Sequence, residues 1–188
     1  MTTLPVGDPI AAPSWAIRPE QPIDLDLIHD LHREAFRRPN EAELVDAVRS
    51  GTDFVPELSL VAVTDDGSVL GHVLISRVAF EPASDGSVRN DALALAPLAV
   101  LPPHSGRGIG SGLVREALAL ADDRDEPFVV VLGPPAYYGR FGFVAAAEHD
   151  ISGPYDGAGE AFQVRPRPGG ESALVPGTVV YPRIFETL

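Results

Sequence analysis

The 188-residue chain contains no cysteine and no lysine. Without cysteine there can be no disulfide, thiolate nucleophile, zinc–thiolate or iron–sulfur site, and a small disulfide-stapled fold is excluded. Without lysine there can be no Walker-type phosphate loop, Schiff base or lysine general base. All 14 basic residues are arginines, and against 27 acidic residues they leave a net charge of −13. No nucleic-acid partner is expected of so acidic a chain, because that affinity rests on neutralising phosphates. Apolar runs reach about ten residues, half of the ~20 needed to cross a bilayer, so no membrane partner is expected. The opening stretch has no basic segment and carries Asp8 and three prolines before Trp15. It does not read as a signal peptide, and a cytoplasmic protein is the expectation. No ligand set for a metal stands out.

What is present is ordinary globular usage, 45% apolar and 22% charged, enough for one domain with a real core. Residues 1–13 read as a flexible leader and 14–188 as a single domain. Trp15 to Pro19 alternate as a short edge strand ended by proline. Ile23, Leu27, Ile28, Leu31, Ala35 and Phe36 fall at helical spacing. Asn40 and Glu43 resemble a capping box opening a second helix, with Gly51 at its end. Leu58–Val63 and Val69–Phe80 are β-rich runs around the Asp65-Asp66-Gly67-Ser68 turn. Glu81–Asp91 reads as a polar loop. Ala92–Val100 is almost wholly apolar, as expected of a strand covered on both faces. Leu113, Val114, Ala117, Leu118 and Ala121 mark a helix, Phe128–Leu132 a buried strand, and Pro134–Phe141 a short helix. Phe143 starts a further strand. The tail alternates through Phe162, Val164, Val179, Tyr181 and Phe185.

The most informative stretch runs from the apolar strand into His104-Ser105-Gly106-Arg107-Gly108-Ile109-Gly110-Ser111 and then directly into a helix. Glycines permit positive φ and close approach of a ligand to the backbone. A helix N-terminus offers unpaired N–H groups and the positive end of its dipole, an anion site suited to phosphate. A dinucleotide turn would need a third glycine where Leu113 stands. The stretch resembles the acyl-CoA pyrophosphate loop of the GNAT superfamily of N-acetyltransferases, with Gly108 and Gly110 in register and Ser105 in place of the usual Gln or Arg. A second segment, Gly133-Pro134-Pro135-Ala136-Tyr137-Tyr138-Gly139-Arg140-Phe141-Gly142-Phe143, resembles a later GNAT segment with a tyrosine four residues before a Gly-Phe pair. Gly177–Pro182 resembles the C-terminal stretch of one bacterial branch.

The resemblance implies an α/β (α+β) GNAT-like fold. Its central sheet would be mixed, mostly antiparallel and splayed at the strand before the glycine turn, with helices on both faces. It implies transfer of the acetyl group of acetyl-CoA directly to a primary amine, on a small molecule or a peptide. The pantetheine arm would pair with the backbone of Leu98, Ala99 and Val100, with the Leu98 N–H near the acyl oxygen. Ser105, Gly106, Arg107, Gly108, Ile109, Gly110 and Ser111 would hold the pyrophosphate, and Tyr138 would protonate the departing thiolate. Tyr137, on another side of the short helix, serves as a control for Tyr138.

The strand that often carries a base in this family has no ionisable side chain between Ala92 and Val100. Glu34 and His72 are the candidate bases. The plainer readings stand beside them, a solvated helix carboxylate and a histidine packed in the sheet. A catalytically silent acyl-CoA-binding or sensor module is the alternative function, and either a monomer or a homodimer is compatible with the sequence.

Overall fold

The computed structural model describes residues 14–187, so the expected leader lies outside the described residues. The strands are β1 (Trp15–Pro19), β2 (Ser59–Thr64), β3 (Val69–Pro82), β4 (Arg89–Val100), β5 (Phe128–Leu132), β6 (Val144–Ala145), β7 (Ile151–Ser152), β8 (Phe162–Pro166) and β9 (Gly177–Val180). The helices are α1 (Leu25–Phe36), α2 (Asn40–Arg49), α3 (Ile109–Asp122) and the single turn α4 (Pro135–Tyr138). The sheet order is β1-β2-β3-β4-β5-β8-β6. Pairing is antiparallel except between β4 and β5 and between β7 and β9. Strand β9 joins the outer half of β3, Ala79 to Pro82. This is the edge that β2 vacates after Ser59 meets Leu74.

Helix α3 seals one face. Its Ile109, Leu113, Val114, Ala117 and Leu118 pack with Leu60, Val73, Leu93 and Leu95. Gly71 makes this contact close, since a Cβ there would sit 3.0 Å from Ile109 and Leu113 side-chain carbons. Helices α1 and α2 cover the other face through Ile28, Leu31, Leu44, Val45 and Val48 over Val61, Leu74 and Ala99. The expected mixed sheet with helices on both faces is therefore what forms.

Strand β4 changes phase along its length. Leu93 and Leu95 face α3, and so do Leu98 and Val100. The shift arises where Val73 meets Leu98 but Ile75 meets Leu95, so Ala96 and Pro97 together oppose Leu74. Such a bulge inserts one residue and moves the alternation to the other face. Parallel pairing with β5 covers only Leu93 to Leu95, and beyond it the two strands part.

Several local expectations need correction. Ile23 belongs to a 3-10 turn, Pro22–Asp24, pinned by the Arg18–Asp24 ion pair at 2.6 Å, and is 79% exposed. The first helix therefore starts later and Leu27 also faces outward. The Asn40–Glu43 capping box does not form, because Asn40 is already helical and the Glu43 N–H goes to the Pro39 carbonyl at 3.0 Å. The polar loop is shorter than read. Strands β3 and β4 run on until only residues 83–88 connect them, closed by Asp85, which accepts the Ser87 N–H at 2.9 Å and pairs with Arg89 at 2.6 Å.

Candidate active site

The glycine turn adopts the conformation its residues predict. Gly106 has φ +74° and Gly108 φ +85°, and a Cβ at either would meet nothing within 4 Å. Both therefore need glycine for backbone reasons, and both leave an open approach. Gly108 takes the N-cap of α3, and its carbonyl accepts the Gly112 N–H at 2.8 Å. The N–H groups of Ile109, Gly110 and Ser111 thus lie in the first turn, where no helical acceptor precedes them. Arg107 and Ser105 are exposed on the turn.

Leu101 donates its N–H to the Leu70 carbonyl at 2.9 Å. Antiparallel alternation along the Gly71–Val73 register then turns the N–H groups of Leu98 and Val100 away from β3, toward the gap left by β5. Those of Ala99 turn to β3. The gap opens as a cleft of about 490 Å³, bounded by Leu95 to Leu98 on one side and by Leu132, Gly133, Pro134 and Tyr138 on the other. Its outer wall is Phe36, Arg38, Glu41, Tyr155, Tyr181 and Phe185.

Tyr138 sits against Gly133, where a Cβ would fall 2.3 Å from the ring, so only glycine leaves room for it. Its ring meets Phe143 edge-on at 5.8 Å. Burial, with Tyr137 adding to it, pushes the Tyr138 phenol well above its ordinary value. It stays protonated across the neutral range, as an acid must. Tyr137 takes another direction, as expected, but not into neutral ground. Its hydroxyl lies 3.0 Å from the position of a Cβ on Gly110, at the mouth of α3. The Arg140 guanidinium stacks over its ring at 4.5 Å and reaches Ser111 Oγ at 3.5 Å. Arg140 was not singled out by sequence, although it stands in the Tyr-Tyr-Gly-Arg segment that drew attention to Tyr138.

The two candidate bases are not brought to this cleft. Glu34 is exposed on α1 and lines a neighbouring charged groove with Asp30, Arg33 and Arg37, which shares only Arg38 with the cleft. The charge requirements of helix packing explain this, because the face of α1 bearing Ile28, Leu31 and His32 is the one turned inward. His72 is completely buried and engaged at both nitrogens. The Glu20 carboxylate accepts Ser59 Oγ–H at 2.6 Å, so Ser59 in turn accepts from His72 Nε2 at 2.9 Å. His72 Nδ1 is left to accept from His32 Nε2 at 2.8 Å. Burial would raise the Glu20 carboxyl, but hydrogen bonds from His72, Arg49 and Ser59 outweigh it and hold the group at about 2. Burial lowers both histidines, His32 to about 2. The pair is a neutral relay ending on a carboxylate beneath α1, with no lone pair on His72 to spare.

Comparison with known proteins places this geometry in a family. The model of the acetyltransferase (GNAT) family matches residues 25–143. The chain is 40% identical over 148 residues to the uncharacterized N-acetyltransferase YhbS of Escherichia coli K12, covering 79% of this chain and 84% of that one. It is 34% identical over 124 residues to the uncharacterized N-acetyltransferase YjhQ of the same organism, 66% of each chain. Among solved structures, E. coli YhbS in complex with CoA superposes with a TM-score of 0.81 at 36% identity, covering 96% of both chains. A Brucella melitensis GNAT acetyltransferase in complex with acetyl-CoA gives 0.73 at 32%, covering 93% of this chain and 99% of that one. With the splayed strands, the glycine-opened helix and these likenesses together, the chain belongs to the GNAT family of N-acetyltransferases.

Proposed function

We propose that the protein transfers the acetyl group of acetyl-CoA directly to a primary amine in the cleft between β4 and β5. The observation that carries this is a convergence. Leu98 and the protonated Tyr138 phenol border one cleft. The strand edge with the outward-turned N–H groups of Leu98 and Val100 runs from it to the first turn of α3, where both side chains come within 4.0 Å of a Cβ position on Gly110. The relatives crystallised with CoA and acetyl-CoA support the same ligand here.

The residues present fit that ligand. The pyrophosphate would lie on the amides of Gly106 to Ser111, beside Arg107, at the positive end of the α3 dipole. The open faces of Gly106 and Gly108 leave the backbone approachable there. The pantetheine arm would pair with the free edge of Leu98 to Val100, as a strand pairs with a sheet edge. The thioester supplies the activated acyl carbonyl. The Leu98 N–H would donate to its oxygen as negative charge builds, a fixed dipole that needs no reorganisation. Tyr138 would hold a proton for the sulfur as the C–S bond breaks. Burial makes this phenol a weaker acid than a free one, so it would keep its proton until negative charge develops on the sulfur. No covalent enzyme intermediate is needed, which agrees with a chain that has no cysteine.

Two measurements test the reading. Millimolar acetyl-CoA should raise the thermal midpoint, because a ligand bound by the native state alone stabilises it. A panel of amines should then release CoA thiol in step with acetylated product. Binding without release from any amine would instead support the silent acyl-CoA module.

A further inference from the structure

Resting on the reading above, we infer that Glu41 receives the ammonium group of the acceptor, which gives one proton to water before its nitrogen attacks the thioester, and that Arg38 is a resident stand-in for that ammonium. Among the described residues bounding the cleft, Glu41 is the one acid and Arg38 the one base. They are paired through both Nε and Nη2 of the guanidinium, with Nε at 3.0 and 3.1 Å from the two carboxylate oxygens. The pair is lopsided. The Glu41 side chain is 4% exposed and that of Arg38 50%.

A carboxylate drawn this far from water needs a cation against it. Glu41 lies in the first turn of α2, where the helix dipole also favours an anion. Its partner is supplied from the short turn between α1 and α2, where Arg37 has φ +57° and Pro39 follows. Arg38 therefore approaches from the solvent side and can leave by side-chain rotation alone. When it leaves, a buried anion faces an apolar chamber walled by Phe36, Tyr155, Tyr181 and Phe185. Aromatic faces attract a cation and accommodate the carbon body that carries it. This chemistry selects a primary amine on an apolar, flat body, such as an arylalkylamine. It disfavours polyamines, whose second cation finds no second acid, and amino sugars, whose hydroxyls find few partners. The surplus negative charge of the whole chain draws such a cation inward.

The two members of one ion pair should then act with opposite sign. The probe is 2-phenylethylamine, titrated into the CoA-loaded protein by calorimetry and tested as an acceptor. Glu41→Gln should weaken its binding about tenfold or more. Arg38→Gln should strengthen it several-fold by removing the competitor, with the larger change in KM than in kcat. Arg33→Gln removes an exposed arginine on α1, outside the cleft lining, and controls for net charge; it should leave the affinity near that of the unmodified protein. Thermal melts of each variant separate folding from binding, and Arg38→Gln, on an exposed turn, remains informative if Glu41→Gln melts early. An ion pair that merely holds the turn predicts weaker binding or lower stability from both changes. That outcome overturns the inference, as does equal strengthening by Arg33→Gln and Arg38→Gln, no binding of the probe, or a preference for spermidine or glucosamine. Acetyl transfer to other amines would survive each of these results, whereas no transfer to any amine would fail the proposed function itself.

Discussion

The histidine relay beneath α1 and the cleft between β4 and β5 both bring polar side chains deep into the fold, but they do so in opposite ways. In the relay, Glu20, Ser59 and His72 satisfy one another in sequence and His32 Nε2 donates into the end of the chain, its own Nδ1 left without a partner. In the cleft, backbone N–H groups and a phenol face space instead of partners. The first arrangement is closed on itself and the second is open to a ligand. A titratable side chain near the sheet centre therefore says little about catalysis until its hydrogen bonds have been counted.

Substitutions should divide along that line. The largest effect is expected at Tyr138. Replacing it with Phe removes one hydroxyl and keeps the ring, so kcat should fall by ~10²–10⁴ with acetyl-CoA affinity and melting nearly unchanged. Equal turnover would place the acid elsewhere. In the relay the pattern should reverse. His72→Leu strands the His32 N–H and removes the donor to the Ser59 oxygen, and should cost ~2–4 kcal/mol of stability while the KM for acetyl-CoA stays near its original value. The relay also sets a pH dependence. Both histidines are held neutral, so below about 6.5 the unfolded chain binds more protons than the native one, and stability should fall as pH drops from there. Glu20, held at about 2, adds a further loss below its ordinary value of 4.5. Melts that do not change between pH 7 and 5 would contradict the neutral relay.

Smaller effects sharpen the cleft. Gly108→Val forces a β-branched residue to φ +85° beside the helix N-terminus and should weaken acetyl-CoA about tenfold or more in a protein that still folds. Unchanged affinity would refute the register of the turn. Tyr137→Phe, which sequence suggests as an inert control, should instead raise the KM for acetyl-CoA ~2–5-fold and leave kcat alone, because its hydroxyl lies beside Gly110.

What could be seen in the sequence was local. The glycine turn, the Tyr138 segment and the apolar strand Ala92–Val100 are contiguous patterns, and each stands where expected, although strand and loop limits moved by several residues. The features that escaped are long-range. His32 and His72 are 40 residues apart and meet only because α1 lies across β3. The bulge at Ala96–Pro97 shows only in the register with β3, which skips from Val73–Leu98 to Ile75–Leu95. Glu41 reads in sequence as one more helix-surface acid, since nothing nearby shows that the first turn of α2 faces Tyr155, Tyr181 and Phe185 across the cleft. The candidate base Glu34 stands outside the cleft lining, on the exposed side of α1 opposite Ile28, Leu31 and His32, a phase that its neighbours in sequence do not fix.

The central claim is that the cleft carries out amine acetylation and does more than bind acyl-CoA. The direct measurement is the initial rate of CoA thiol release from acetyl-CoA with and without added amine, with the acetylated product quantified by mass spectrometry in the same samples. The account predicts amine-dependent release with one thiol per acetylated amine, lost in Tyr138→Phe. Tight acetyl-CoA binding with no amine-dependent release across arylalkylamines, polyamines, amino sugars and peptide N-termini would contradict it.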